Sequence, residues 1–195
     1  MKKDFETLRN ALLSCQNCQK LFGFEPHPVV QGTAQSKIFQ ISQAPSKTVH
    51  VTHKPFNDLS GKRLIHEWYQ ISSAEFYNPD YFYITSMANC FPGKAPGGGD
   101  RKPPKICAQT WLEGQMDLVN NQIYIVIGRY AADYFFPKRR FDELVFTDQK
   151  IRGKKAFILP HPSPLNMKWF HDHLEFEQSR IKTIRAAVYQ ILGKN

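Results

Sequence analysis

The sequence predicts an α/β fold, a three-layer αβα sandwich around a mostly parallel four-stranded sheet. Three observations carry this. Four short runs, each rich in β-branched or aromatic residues, read as buried strands: "KIFQIS" (37–42), "YFYITS" (81–86), "QIYIVIG" (122–128) and "KKAFILP" (154–160). Helical patterns lie between them, and such alternation gives a parallel sheet covered on both faces. The segments that follow the four strands are all unusual in composition, and folds of this class bind ligands beyond the carboxyl ends of their strands.

The elements follow in order. Residues 4–14 read as an amphipathic helix, with Asp4, Glu6 and Arg9 among its apolar positions. Those charges interrupt the apolar core that a secretion signal needs. After the first strand, residues 60–71 place Leu64, Trp68 and Ile71 on one helical face, with Ser60 at a capping position. Residues 103–119 open on prolines and carry Ile106, Trp111, Leu112 and Met116 as apolar anchors. A shorter helix, 129–136, follows Gly128. The tail, 175–193, repeats apolar residues at Ile181, Ile184, Val188 and Ile191 and ends at Gly193. With no internal repeat and no low-complexity linker, residues 1–195 read as one domain, large enough for its own core.

Hydrophobic residues make up 42% and charged residues 22%, ordinary for a soluble globular chain. No apolar run is long enough to cross a bilayer. We expect a cytoplasmic monomer with no membrane partner. The 26 Lys and Arg exceed the 17 Asp and Glu by nine. An excess of this size suits an anionic partner, nucleic acid first, or else a basic surface that serves solubility.

The four cysteines are Cys15, Cys18, Cys90 and Cys107. Without a secretion signal, a disulfide framework is disfavoured. "CQNC" (15–18) is a CxxC pair, suited to metal binding or redox chemistry. A thioredoxin-like site needs a strand before the pair. Here a helix precedes it, so metal binding leads. Cys90 and Cys107 flank "FPGKAPGGGDRKPPKI", whose Lys94, Arg101, Lys102 and Lys105 suit phosphate contacts. Four thiolates suit a [4Fe–4S] cluster or a tetrahedral zinc.

Five pieces in order, "CQNC", "SQAPS" (42–46), "PFNDLSG" (55–61), "ITSMANC" (84–90) and "HPSPLN" (161–166), resemble the uracil-DNA glycosylase superfamily. The four-cysteine pattern resembles its family-4, iron–sulfur branch. That branch has a Gly-Glu-Ala-Pro-Gly loop, a Pro-Phe-x-x-x-Ser/Ala-Gly segment, a strand-end Asn before a cysteine and a late His-Pro loop. The resemblance implies a glycosylase that extrudes uracil or a related deaminated base from DNA and hydrolyses its N-glycosidic bond. It implies that Phe56 stacks on the base. Ala44 and Ser86 lie at the base, and His161 donates to its O2, where negative charge builds as the bond breaks. Ser163 bonds a phosphate, and Asn166 and Lys168 extend that backbone contact. The resemblance also favours the [4Fe–4S] cluster over zinc, in a structural role.

The departures are specific. Gln43 stands at the position of the family-4 Glu, and Ala44 at the catalytic Asp of the best-known members. Glutamine cannot act as a general base. Asp58 is the nearest carboxylate, and it reads equally well as a helix cap. Gln43 and Asp58 are the candidates to order the attacking water. Ser86 stands where the branch has its strand-end Asn, and Asn89 is out of register with it. Two readings follow. One is a monofunctional glycosylase. The other is a nucleic-acid-binding protein that keeps the fold with little or no catalysis. A cysteine-based redox or metal protein with no DNA role is a third, against which the basic excess and "HPSPLN" argue.

Overall fold

The computed structural model describes residues 4–194. In chain order its elements are α1 (Phe5–Leu13), α2 (Asn17–Phe22), β1 (Ile38–Ser42), α3 (Lys47–Thr52) and α4 (Leu59–Lys62). A π-helical segment, Arg63–Tyr69, continues α4. Then come α5 (Ser73–Phe76), β2 (Phe82–Ser86), α6 (Lys105–Leu118), β3 (Ile123–Ile127), α7 (Arg129–Phe135) and α8 (Phe141–Phe146). The chain finishes with β4 (Gln149–Ile151), β5 (Lys154–Leu159), α9 (Met167–Asp172), a π-helical turn (Phe176–Arg180) and α10 (Ile181–Leu192).

The strands form one sheet in the order β2-β1-β3-β5-β4. The four expected strands are all present and mutually parallel. The sheet nevertheless has five strands, not four: β4 pairs antiparallel with β5 at the edge. Its three residues are mostly polar, too short and too wet to show an apolar run. Arg152 and Gly153, both left-handed at φ 51° and 77°, make the two-residue turn between these strands, as a primed hairpin turn requires.

The strands β1, β2 and β3 are buried along their whole length. That is what coverage on both faces demands. On one face the π-helical segment packs down: the Tyr69 hydroxyl donates to Gln40 of β1 at 2.8 Å. Outside it lies the C-terminal helix pair, where Phe176 meets Trp68 edge-on at 5.0 Å and Arg185 Nε donates to the Trp68 carbonyl at 2.7 Å. On the other face lie α1 and α6. Phe5 meets Tyr83 edge-on, and the Tyr83 hydroxyl donates to Gln115 at 3.0 Å. The expected helical spans hold, but residues 60–71 and 175–193 are each part π-helix, and α6 starts at Lys105, after both prolines.

β1 lies between β2 and β3, so the chain leaves it to one side and returns on the other. This is the topological switch point, where such sheets open a crevice at their carboxyl ends. Among the described residues no helix is long and apolar enough to cross a membrane.

Candidate active site

A cleft of about 830 Å³ opens at that point. Gln43, Ala44, Phe56, Asp58, Ser86, His161 and Ser163 all line it. The loops after β1, β2 and β5 therefore converge as the strand order requires. Lys168 and Asn166 are placed differently. Lys168 is almost fully exposed and pairs with Asp172 at 2.6 Å. Asn166 turns inward, and its Nδ2 donates to the His161 carbonyl at 3.2 Å, bracing the loop.

His161 is held from two sides. Gly128, at φ 87° after β3, backs its ring, and a Cβ there would meet imidazole Cδ2 in ordinary contact at 3.5 Å. The Ser163 amide donates to Nδ1 at 3.2 Å. An imidazole that accepts at Nδ1 carries its proton on Nε2. Burial lowers the His161 pKa, opposed by the nearby Asp58 and Asp100 carboxylates. The ring is thus a neutral donor through Nε2. Ser163 also caps the 3-10 turn Pro164–Asn166, its Oγ accepting from the Leu165 amide at 3.2 Å.

Phe56 is presented by strained backbone. Its φ is 55°, a left-handed conformation that costs a bulky residue roughly 1–2 kcal/mol. Its carbonyl presses on Gly61, where a Cβ would sit 1.6 Å from the Phe56 oxygen. Only glycine fits there. Its ring stands edge-on to Phe76 at 6.0 Å, and the preceding carbonyl, Pro55, accepts from Tyr77 at 3.0 Å. Strain of this kind concentrates at functional sites.

Asp58 is a cap as well as a lining residue. Oδ1 accepts from the Gly61 amide at 3.0 Å, and Oδ2 accepts from the Ser46 hydroxyl at 2.7 Å. Ser46 in turn caps α3. Both carboxylate oxygens are therefore engaged in holding the two loop halves together. Ser86 is buried at the end of β2, in register with Ser42 of β1, and the two hydroxyls share a hydrogen bond of 2.8 Å. Asn89 faces elsewhere: it accepts from Thr85 at 2.8 Å, and its amide donates to Cys107 Sγ at 3.3 Å.

Two further residues at the cleft are not predicted from the sequence. Leu165 lines the mouth and is 93% exposed. Its only signal is an apolar residue in a rigid polar loop. Asp100 lines the cleft from the glycine-rich loop, and nothing in its local sequence marks it.

The four cysteines line a second, small cavity together, among Leu12, Pro26, Pro28, Ile106 and Trp111. All four are free thiols. Burial first, then the neighbouring Cys107, pushes Cys90 up to about 12. Burial pushes Cys107 up to about 11, against the Asn89 amide. Four soft donors around one apolar pocket, one with an N–H on its sulfur, fit a thiolate-ligated metal group, whose charge would offset that burial. Among the described residues no three His, Cys, Asp or Glu side chains form a preset single-ion site.

The family model of the uracil DNA glycosylase superfamily matches residues 29–185, from just before β1 into α10. The type-4 uracil-DNA glycosylase of Sulfurisphaera tokodaii is 28% identical over 151 residues, which cover 76% of this chain. The match spans 64% of that relative's length, just under two thirds. The convergence of the four motif loops on one cleft, and the match across the sheet that carries them, lead to one conclusion: the chain belongs to the uracil DNA glycosylase superfamily.

Proposed function

We propose that the chain is a single glycosylase-like domain acting as a monofunctional DNA glycosylase, which extrudes and excises uracil or a related deaminated base. The observation that carries this is the locked Nε2–H tautomer of His161 in a cleft that Phe56 also lines. As the C1′–N bond breaks, its electron pair moves onto the base, and a neutral, preorganised donor at the base oxygen stabilises that charge. Phe56 offers a flat face to the extruded base, worth ~1–3 kcal/mol. Ala44, with no side chain beyond Cβ, lets backbone approach the base, and the Ser42–Ser86 hydroxyl pair offers it a donor and an acceptor. Gln43 can orient water through its amide but cannot take its proton. Asp58 fixes the loop that presents Phe56.

On the DNA side, Ser163 supports a phosphate contact from the cleft rim. Arg101, Lys102 and Lys105 supply exposed charge nearby, in keeping with the excess of nine basic residues. Cys15, Cys18, Cys90 and Cys107 would hold a [4Fe–4S] cluster, with zinc as the alternative. The group would supply a cross-link between the N-terminal segment and the loop after β2, and it takes no part in the chemistry.

The absence of a loop carboxylate at Gln43 and Ala44 favours a second reading, a binding protein that retains the pocket. Oligonucleotides carrying uracil, hypoxanthine or xanthine, single- and double-stranded, separate the two after alkaline cleavage. Abasic product on any of them supports the enzyme. Tight binding with no product on all of them establishes the binding protein.

A further inference from the structure

We propose that Asp100 is the base for the attacking water, supplying from the glycine-rich loop the carboxylate that Gln43 lacks. This rests on the glycosylase reading above.

The loop between Cys90 and Cys107 is ordered around a small hairpin. Lys94 and Asp100 form an antiparallel bridge. The Arg101 amide donates to the Gly93 carbonyl at 2.9 Å, and the Ala95 amide to the Gly99 carbonyl at 3.1 Å. Gly98 and Gly99, left-handed at φ 84° and 71°, make the reversal. This hairpin brings Asp100 into the cleft lined by Gln43, Ser86 and His161. Both ends of the loop sit at the cysteine pocket.

The charged or titratable groups that share the cleft with Asp100 are Lys62, Asp58 and His161, and Lys94 pairs with it on the hairpin. Lys94 Nζ holds Oδ1 at 2.6 Å. That contact engages Oδ1, and Oδ2 accepts no hydrogen bond from the described residues. Asp58 differs, since each of its oxygens already accepts from the protein. His161 feels both carboxylates, which oppose the effect of its burial. Asp100 thus shares the cleft with the ring that stabilises the leaving base.

In the step, water oxygen bonds to C1′ as the C1′–N bond breaks. The electron pair leaves with the base, whose oxygen accepts from His161 Nε2–H. The water proton passes to Asp100 Oδ2 and then to solvent, and the released base is protonated from solvent.

The test compares wild type, Asp100→Asn and Asp100→Glu on single-stranded uracil, hypoxanthine and xanthine oligonucleotides, by single-turnover excision and by fluorescence anisotropy. Loss of a general base typically costs 10²–10⁴-fold, so Asp100→Asn is expected to slow excision by ~100-fold or more. Affinity stays within ~2-fold, because the substitution removes a proton acceptor and leaves the base pocket and its charge-stabilising donor in place. Asp100→Glu, which keeps a carboxylate, retains part of the rate. If wild type is active and Asp100→Asn keeps its rate, this assignment is overturned and the glycosylase reading stands. If wild type excises none of the three bases, both are overturned.

Discussion

The Ser163 amide donates to Nδ1 of His161 at 3.2 Å, so two residues of one turn set which ring nitrogen carries the proton. Pro162 and Pro164 on either side of Ser163 fix the backbone that aims this amide. The rigidity of "HPSPLN" thus has a chemical purpose: the ring arrives as an Nε2–H donor without reorganising. Removing such a donor costs ~10²–10³ in rate. His161→Ala is expected to lose single-turnover excision by that factor while binding uracil oligonucleotides within ~3-fold of wild type.

The same ring makes stability depend on pH. Burial lowers the His161 pKa in the fold, so the unfolded chain binds the proton more readily. Its stabilising contribution is fully present above the unfolded value of ~6.5 and is lost as pH falls through the lower folded value. Urea unfolding over a pH series is expected to show wild type losing stability below ~6.5 with a slope that His161→Ala reduces. An identical slope in the two proteins would show that the ring is not held neutral by the fold.

Phe56 and Gly61 act as one unit, because the Phe56 carbonyl occupies the space of a Gly61 side chain. Phe56→Ala is expected to weaken binding to a uracil oligonucleotide by ~1–3 kcal/mol, roughly 5- to 150-fold, the value of one base stack. Gly61→Ala must displace that carbonyl and turn the ring out of the cleft. It is expected to weaken binding comparably and to lower Tm by at least ~4 °C, at ~2–4 °C per kcal/mol for a chain of this size. Anisotropy and thermal melting check both.

These pairs show where the sequence speaks and where it is silent. The four parallel strands are legible because burial on both faces forces continuous apolar runs. β4 is not, because an edge strand of three residues needs no apolar pattern, although Arg152-Gly153 marks its turn. The helices α2, α3, α5, α8 and α9 run only four to six residues, too short for a 3.6-residue period to repeat. At the site, Phe56 and His161 stand in motifs with local signals. Asn166 closes such a motif and donates to the His161 carbonyl, while Lys168, just after it, pairs with Asp172. Asp100 enters the cleft through a hairpin pairing across six residues, which no local pattern encodes.

The cysteine pocket yields its own prediction. Cys90 is buried and Cys107 half-buried in one pocket, and a metal group is what would make their burial favourable as thiolates. Anaerobically purified protein is expected to contain iron and acid-labile sulfide and to show broad visible absorption. Cys107→Ser is expected to lose the colour and melt several degrees lower, as the loop and the N-terminal segment come apart. A colourless protein with one zinc per chain would assign the site to zinc instead.

Leu165 tests strand preference. It is 93% exposed at the cleft mouth, on a one-turn helix that Ser163 caps and Asn166 braces. None of the described residues covers this side chain. A base stack with one base extruded offers an apolar gap of that size, and wedging residues of this type insert into such steps. Burying a leucine gains roughly 1.5–3 kcal/mol, so its loss is worth about tenfold or more. The gain arises only where a stack exists to be opened. Leu165→Ala is therefore expected to slow excision from duplex by about tenfold or more, and from single strands by less than ~2-fold. Equal losses on both substrates would place Leu165 against the base itself rather than in the gap it leaves.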